Sequence, residues 1–367
     1  MSGSTETGTN GLKGRGDTAD GTPTKALHCV PRVGLCCFGA AILILAAQLS
    51  WSLLIAETPA AILPPAGEVI EGTAPFTFAV VGDSQGHMGI FEDILARIKA
   101  EDVSFILHMG DLVSRDDARQ FDWVLHELHE QMLTVPFCPV PGNHDTDWAT
   151  EDTKERYLFY SGSFGPRRYW FAWANALFVA FDTSGERCSA EDLAWLDRTL
   201  SRLRGGYEAC FVYTHVPPRD PRPGKSHALE AGAEDLMRVL QTHNVTAVFA
   251  GHIHSYLQDD IGGIPVYISG GAGGRLQEPK GPYHYLLCTV EPGGSFRLEK
   301  RDMDHVFDSD SLEKFLRVNS QLYCFAVFSG LVVVGGVSTG LGALKQRMVN
   351  KQRRTGDPCS TRSKPGG

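Results

Sequence analysis

Five short polar motifs, each directly after an apolar run, hold the residues of this chain that could do chemistry. The runs before them, such as FAVV, CFVY and AVFA, are typical of buried strands. Ligands bind at strand ends in open α/β sheets, so metal-competent side chains at five such ends indicate one shared site. The motifs are Gly82-Asp83-Ser84-Gln85, Gly110-Asp111, Gly142-Asn143-His144-Asp145, Thr214-His215 and Gly251-His252-Ile253-His254.

The residue types in these motifs predict a centre of two divalent metal ions. Carboxylate, amide oxygen and imidazole suit Mn²⁺, Fe or Zn²⁺, and the lack of a thiolate argues against a purely structural zinc. Two ions about 3.5–4 Å apart, bridged by one carboxylate, would hold both the attacking and the leaving oxygen of a phosphate ester. They would also lower the pKa of a bound water toward about 7, which supplies a hydroxide at neutral pH.

The part of the chain that carries the motifs alternates strand-like and helix-like segments, which predicts an α/β layered domain over residues 74–305. The late strands are expected to complete a second sheet. Strands are expected at residues 76–81, 105–109, 137–140, 169–181, 210–214, 245–250 and 266–269. Helices are expected at residues 91–100, 120–133, 190–203 and 231–242.

The ordered series D-x-Q, GD, GNHD, H and GHxH resembles the calcineurin-like metallophosphoesterase superfamily, which includes purple acid phosphatases and class III cyclic-nucleotide phosphodiesterases. The resemblance implies a double β-sandwich flanked by helices, with metals at the sheet edges. It implies that the first metal is held by Asp83, Gln85, Asp111 and His254, and the second by Asp111, Asn143, His215 and His252. His144 resembles the general acid, or transition-state donor, beside the leaving oxygen.

Two positions depart from the common pattern. Gln85 stands where the first motif usually has His, so a weaker or harder-metal first site is expected. Purple acid phosphatases place a tyrosine iron ligand three residues after the GD motif, and Ser114 stands there in this chain. The tyrosinate–Fe(III) variety is therefore not expected. The glycine-rich residues 269–274 and the His254-Ser255-Tyr256 end of the last motif resemble the extracytoplasmic phosphatase branch.

Several other polar residues lie near the motifs. Asp145 is expected to orient its neighbouring His or to cap a turn. His87 and His227 either line the pocket or, as we favour, lie on surface loops. Arg115 and Arg219 fit phosphate contact and solvated loops equally well.

Another group of residues is assigned to the structure rather than to the site. His284 is expected outside the site, and Asp182 is expected to form a turn. The cysteines of the middle domain are interpreted as buried free thiols, with disulfides as the alternative in an oxidising compartment. They are Cys138, Cys188, Cys210 and Cys288.

Two uncharged apolar runs predict membrane-spanning helices at residues 33–56 and 322–344. A cleaved signal peptide is the alternative for the first run, but its leader is long and the run exceeds a typical signal core. Gly336 and Gly340 form a GxxxG pair in the second run, which either packs helices together or arises by chance in a glycine-rich stretch.

The flanking charges predict the topology of the chain. Lys and Arg precede the first run and follow the second, which places both termini in the cytoplasm and the middle domain outside or in a lumen. Residues 1–32 are predicted to be a disordered tail, 57–73 and 306–321 linkers, and 345–367 a basic tail. The Asn244-Val245-Thr246 sequon directly precedes a predicted buried strand, so a chance match is favoured over glycosylation.

The net charge of −9 argues against a nucleic-acid-binding surface. The motifs indicate a phosphate-ester substrate as one partner, and the two apolar runs indicate a lipid bilayer as the other. The favoured function is hydrolysis of a phosphomonoester or phosphodiester. Alternatives are a phospholipid or glycolipid phosphodiesterase, suggested by the anchors, and a nucleotide pyrophosphate hydrolase, suggested by the D-x-Q variant. A catalytically inactive receptor or scaffold would be expected to lack metal ligands, and this chain has a ligand-type residue at every position.

Overall fold

The computed structural model describes residues 36–37, 39–43, 63–85, 87–131, 133–147, 149–150, 153–303 and 320–355. The chain divides into two compact units. One unit is Ser50–Gln321, and the other combines Met1–Leu49 with Leu322–Gly367. The candidate chemistry lies entirely in the first unit, whose described part contains two β-sheets.

The five strands of the first sheet are β2 (Phe76–Val81), β3 (Ile106–His108), β4 (Phe137–Pro139), β11 (His284–Val290) and β12 (Phe296–Asp302). They lie in the order β12-β11-β2-β3-β4. Strands β2, β3 and β4 are parallel, so their carboxyl ends share one edge. Strand β11 pairs antiparallel with both β2 and β12.

The seven strands of the second sheet are β1 (Val69–Ile70), β5 (Tyr169–Trp173), β6 (Ala176–Ala180), β7 (Ala209–Tyr213), β8 (Ala247–Ala250), β9 (Tyr256–Ile261) and β10 (Ile264–Ser269). Their order is β1-β5-β6-β7-β8-β10-β9. Strands β6, β7, β8 and β10 are parallel. This sheet therefore also brings several carboxyl ends to one edge.

Helices cover the outer face of each sheet. Helices α1 (Met88–Ala100) and α2 (Ala118–Glu130) share one apolar cluster with the outer side chains of the first sheet. Helices α5 (Ala190–Leu203) and α6 (Ala233–Thr242) do the same on the second sheet. Two short helices, α3 (Thr153–Arg156) and α4 (Leu158–Phe164), lie between β4 and β5 along the chain. Asp117 and Ser189 cap α2 and α5 by accepting from backbone N–H groups in the first turn.

A third apolar cluster joins the two sheets and is rich in phenylalanine. Alternate residues of each strand point into it, as the pleat of a strand requires. The Phe178 ring is fully buried and has its centroid 5.1 Å from that of Phe78, 4.9 Å from Phe105 and 5.3 Å from Phe211. These contacts link strands of both sheets, so the cluster fixes one sheet against the other.

The structure confirms an α/β fold of two sheets with helices outside, and it corrects two details. Residues 169–181 are not one strand, because β5 and β6 form a hairpin with Ala174 in a left-handed conformation (φ +49°). The late strands do not all complete the second sheet: β9 and β10 do, whereas β11 and β12 belong to the first.

Helix α7 (Ser320–Thr355), which lies in the second unit from Leu322 onward, includes the apolar run 322–344 and continues past its end. Of the run 33–56, the structure describes only residues 36–37 and 39–43. Within the described parts of the chain, no helix combines the length and the apolar character that crossing a membrane requires. The two membrane spans stay predictions of the sequence.

Truncating Phe178 should reveal how strongly the inter-sheet cluster stabilises the domain. We expect Phe178→Ala to lower the free energy of unfolding by about 3–5 kcal/mol, because it removes a large buried ring and leaves a cavity. Urea unfolding followed by tryptophan fluorescence measures this loss. Leu158→Ala is the control, since Leu158 is 60% exposed and its loss should cost less than about 0.5 kcal/mol. Equal unfolding midpoints for the two variants would contradict the role of the cluster.

Candidate functional site

The five polar motifs lie at the carboxyl ends of parallel strands from both sheets. Asp83, Asp111 and Asn143 follow β2, β3 and β4 of the first sheet. His215 follows β7, and His252 follows β8, both in the second sheet. The packing of the two sheets thus brings together side chains that are far apart in the sequence. Asp83 and His254, for example, are 171 positions apart.

Three of these residues have a left-handed backbone. The φ angles are +59° at Asp83, +57° at Asp111 and +66° at His252. Such conformations cost about 1–3 kcal/mol for residues other than glycine and persist only where neighbouring structure fixes them. Here the backbone N–H of Asp83 donates to the Gly110 carbonyl at 3.0 Å, which ties the first motif to the second.

Glycines allow the motif loops to approach each other closely. A Cβ at Gly142 would lie 2.1 Å from Asp111 Oδ1, and one at Gly251 would lie 2.6 Å from Asp83 Oδ2. Both distances are far below van der Waals contact. Any side chain at either position would therefore displace a carboxylate of the site.

One group of ligand atoms surrounds Asn143. Its Oδ1 lies 2.9 Å from His215 Nε2 and 3.1 Å from His252 Nδ1, and these two nitrogens are 3.3 Å apart. His215 Nε2 also lies 3.4 Å from Asp111 Oδ1. These are the four residues that the resemblance implies for the second metal.

The other group surrounds Asp83. His254 Nε2 lies 3.4 Å from Asp83 Oδ1, and ligand atoms of Asp83, Asp111 and His254 all lie within 4.8 Å of one another. The Gln85 side-chain amide donates to Asp111 Oδ2 at 2.7 Å. Asp83, Gln85, Asp111 and His254 are the four residues that the resemblance implies for the first metal. Gln85 contacts Asp111, the carboxylate that would bridge the two metals.

The chemistry of the donor set fits metal ions. His215 donates its Nδ1–H to the Met109 carbonyl at 2.7 Å, so its Nε2 presents a lone pair to the Asn143 and Asp111 oxygens. His254 likewise donates from Nδ1 to the Arg275 carbonyl at 2.9 Å, and its Nε2 faces Asp83. Backbone partners of this kind orient metal-ligating histidines. Lone pairs that converge in this way are stabilised by a cation.

The electrostatics of the buried site also favour positive charge. Burial alone would lower the pKa of His254, but its hydrogen bond to Asp83 and the charge of that carboxylate raise it to about 9. Burial would likewise lower the pKa of His215, and the charges of Asp111 and Asp83 raise it above its ordinary value. Burial and the nearby His215 lower the pKa of His252 to about 3. The carboxylates thus raise the pKa of two imidazoles despite their burial, which shows that this part of the site is negative and favours a cation.

His144 lies at the mouth of the site, within a 3-10 turn over Asn143–Asp145. Its side chain is exposed and donates from Nδ1 to the Ser114 carbonyl at 2.9 Å, which leaves Nε2 available to a substrate. Its backbone N–H donates to Asp111 Oδ1 at 2.9 Å. Asp145 is buried and accepts from Val113 N and Gly142 N, so it caps this turn as expected.

The ligand residues open into a cavity of about 370 Å³. Glu186, Ser226, His227 and Gln277 line its outer part, and we call these four residues the rim. His227 is an exposed loop residue, as we favoured, and it also lines the cavity, with its ring 5.8 Å from that of His252. Sequence reasoning missed Glu186 and Gln277, whose loops carry no local pattern that indicates a pocket.

His108 is a further residue that the sequence did not single out. It is fully buried in β3, accepts from Gly110 N at 3.2 Å and donates from Nε2 to Ser84 Oγ at 3.1 Å. Burial lowers its pKa to about 3, so the ring is neutral and can make both contacts. It thereby connects the loops that carry Asp83 and Asp111. A lone polar residue within the apolar run FILHM is the signal that could have found it.

The remaining candidates lie outside the cavity lining. His87 bonds to the Gly273 carbonyl, and Arg219 pairs with Asp259 on the surface. Arg115 is exposed. His284 is buried, as expected away from the cavity lining, and burial lowers its pKa to about 4.

Two structural expectations for the middle domain are also met. Asp182 accepts from the N–H of Ser184 and pairs with Arg167 at 2.8 Å, in keeping with a turn-forming role. The four middle-domain cysteines are free thiols.

Comparison with known proteins identifies the family of the domain. Residues 76–256, about half of the chain, match the family model described as calcineurin-like phosphoesterase. The match begins with β2 and ends at the start of β9, so it includes every motif that contributes a ligand residue. The fold is similar to that of a purple acid phosphatase from yellow lupin (Lupinus luteus) seeds, with a TM-score of 0.53 and 17% identity over 65% of this chain and 53% of that one.

Two curated relatives are similar to part of the chain in sequence. One is a probable inactive purple acid phosphatase from Arabidopsis thaliana, 23% identical over 47% of this chain and 31% of the relative. Another is a probable cyclic nucleotide phosphodiesterase from Fibrobacter succinogenes, 21% identical over 46% of this chain and 64% of the relative. The chain spans less than two thirds of the length of both relatives.

Metal content should separate ligand residues from other residues that line the cavity. We expect the wild-type protein, loaded with Mn²⁺ and desalted, to retain about two ions, and His252→Ala to retain about one fewer, because the second group loses a nitrogen. Elemental analysis by mass spectrometry measures the metal-to-protein ratio. His227→Ala is the matched control, since it removes a cavity-lining imidazole that lies outside both groups. Equal metal loss in both variants would contradict the assignment of ligands.

Proposed function

We propose, since this chain belongs to the calcineurin-like phosphoesterase family, that it hydrolyses a phosphate ester with two divalent metal ions held around Asp111. One observation carries the proposal. Asp111 directs Oδ1 toward His215, at 3.4 Å, and Oδ2 toward Gln85, at 2.7 Å, so one carboxylate lies between two groups of ligand atoms. This is the arrangement that a dinuclear hydrolase needs for a bridging ligand.

Each side chain has a distinct task in this proposal. Asp83, Gln85 and His254 would hold one divalent ion, and Asn143, His215 and His252 would hold the other, with Asp111 between the two groups. When bound, such ions would supply positive charge to the phosphate and an activated water as the nucleophile. His144, oriented by its hydrogen bond to the Ser114 carbonyl at the mouth of the site, acts as the general acid that donates from Nε2 to the leaving oxygen.

The ligand set also bears on the type of metal. Oxygen and imidazole donors suit Mn²⁺, Fe or Zn²⁺, and the amide of Gln85 replaces an imidazole in the first group. The residue at position 114 contributes its backbone carbonyl to His144. Since that residue is serine, the proposal does not include a tyrosinate–iron centre.

A catalytically inactive scaffold is the alternative from a different class, and the Arabidopsis relative is named as inactive. This chain, however, has a ligand-type side chain at each of the seven positions, and all seven lie in the two groups around Asp111. A scaffold has no need for such a buried polar cluster, which is costly unless it binds a cation. We therefore favour the enzyme.

Substituting His144 should separate catalysis from metal binding. We expect His144→Ala to lower kcat for an aryl phosphate by about 10²–10⁴-fold, because it removes the proton donor, while the bound metal stays at the wild-type level. Steady-state hydrolysis of 4-nitrophenyl phosphate and bis(4-nitrophenyl) phosphate with Mn²⁺, together with elemental analysis, measures both quantities.

His129→Ala, at an exposed position on α2, serves as the control for this experiment and should leave kcat unchanged. A wild-type protein that binds two ions but hydrolyses neither ester with Mn²⁺, Fe²⁺ or Zn²⁺ would support the scaffold instead. Unchanged hydrolysis in Asp111→Ala would refute the proposed centre.

We also propose that residues 33–56 and 322–344 anchor the protein in a membrane, with both termini in the cytoplasm and the catalytic domain on the opposite side. The support is the absence of charge from both runs and the Lys and Arg residues that precede the first and follow the second. A site held beside a bilayer would be close to membrane-bound phosphate esters.

Protease protection tests this topology. In sealed vesicles with the cytoplasmic face outward, we expect protease to remove epitope tags from both ends and to leave a domain-sized fragment until detergent is added. The physical reason is that the bilayer shields the domain between the two spans. Digestion of the domain without detergent, or release of the whole protein by alkaline carbonate, would contradict the proposed anchoring.

A further inference from the structure

The rim differs in charge from the metal-binding end of the cavity. Glu186, Ser226, His227 and Gln277 carry hydrogen-bonding groups and one carboxylate. No lysine or arginine is among the described residues that line the cavity. Among the residues that line the cavity, the positive charge that a phosphate needs is therefore expected at the end where the ligand residues lie.

Glu186 is the residue that gives the rim its negative charge. It ends a tight turn in which its N–H donates to the Thr183 carbonyl at 2.9 Å, and its own carbonyl accepts from Glu230 N at 2.7 Å. Its φ of +55° is a left-handed conformation, which glycine or asparagine adopts more easily. The backbone geometry alone does not call for glutamate here, so the position points to a use of the side chain.

No cation neutralises Glu186 within the described part of the chain. The adjacent Arg187 pairs instead with Glu230, at 2.9 Å and on the surface. The Glu186 carboxylate thus remains available to a ligand that enters the cavity.

The other rim residues are held by a chain of hydrogen bonds. Gln277 Oε1 accepts from Arg222 Nη1 at 3.0 Å and from His227 Nδ1 at 3.2 Å. Arg222 in turn makes a two-point ion pair with Asp220, at 2.9 and 2.8 Å. Because Asp220 already neutralises Arg222, this arginine orients the rim without adding net positive charge to it.

We propose that Glu186 selects the substrate: an ester with a single phosphate group, whose alcohol part carries an ammonium or hydroxyl group that donates to the Glu186 carboxylate. This inference rests on the proposed function. A second phosphate group on the substrate would enter a part of the cavity whose charged side chain is the Glu186 carboxylate, and like charges repel. An ammonium or hydroxyl donor at the same place would form a charge-assisted hydrogen bond. The rim therefore disfavours pyrophosphate and nucleotide polyphosphates.

Charge reversal at Glu186 tests the proposed substrate selection with binding measurements, without relying on hydrolysis. Calorimetric titration of the Mn²⁺-loaded protein with inorganic phosphate and with pyrophosphate gives the ratio of the two dissociation constants. We expect Glu186→Lys to shift this ratio toward pyrophosphate by about tenfold or more, and Glu186→Gln to shift it in the same direction by less. A ratio in Glu186→Lys within twofold of the wild-type ratio would overturn the proposal.

Two esters of similar size supply the second readout. The two esters differ in the ammonium group that 2-aminoethyl phosphate carries at its chain end. Because the Glu186 carboxylate would bind that group, we expect the wild-type kcat/KM for 2-aminoethyl phosphate to exceed that for propyl phosphate by about tenfold. We expect Glu186→Gln to remove this preference. An equal kcat/KM for the two esters in the wild-type protein would also count against the selection.

Glu230→Lys is the matched control for both readouts. It makes the same charge change on the neighbouring chain segment, but Glu230 lies outside the cavity lining and pairs with Arg187. Both ratios should stay within about twofold of wild type. A wild-type protein that favours phosphate over pyrophosphate yet hydrolyses no ester would refute the proposed function while the selection by Glu186 stands, so the two failures are distinguishable.

Discussion

The buried carboxylate of Asp111 is the constraint on which the rest of the structure depends. Its oxygens lie 2.7 Å from Gln85 Nε2 and 3.4 Å from His215 Nε2, and a second buried carboxylate, Asp83, lies nearby. Burial raises the pKa of Asp111, and only the charge of His215 and nearby donors offset this effect. Two neighbouring buried carboxylates are stable together only with positive charge near them, so the site must bind protons or metal ions.

The sandwich of two sheets is what makes this cluster possible. Ligand residues from the first sheet and from the second face each other only because the phenylalanine cluster holds the sheets in one relative position. Close approach then needs glycine at positions 142 and 251 and left-handed backbone at three ligand residues. Packing thus provides the free energy that offsets backbone strain at the site.

Local patterns explain what the sequence could predict. An apolar run that ends in a glycine and a polar residue predicts both a strand and a ligand at its end, and the Asp83 and Asp111 motifs follow this rule. The rim residues Glu186 and His227 follow no such rule, because long loops decide whether they reach the cavity. The division of residues 169–181 into two strands was missed for a similar reason: the left-handed turn at Ala174 has no glycine to mark it.

The metal-binding end of the cavity is built by residues that follow strands, whereas the rim is built by residues on loops. The residues for the chemical step are thus separate from those proposed to select the substrate. Each ligand side chain lies two to four residues after the end of a strand whose backbone is fixed in a sheet, so a change at one position disturbs the buried cluster. Glu186, His227 and Gln277 lie on loops that contact each other at the surface of the sandwich. Substitution there is expected to change charge and hydrogen bonding at the entrance while Asp111 keeps its position. A carboxylate is tolerated at the rim because it remains near solvent, whereas the same group beside Asp111 would need a further cation.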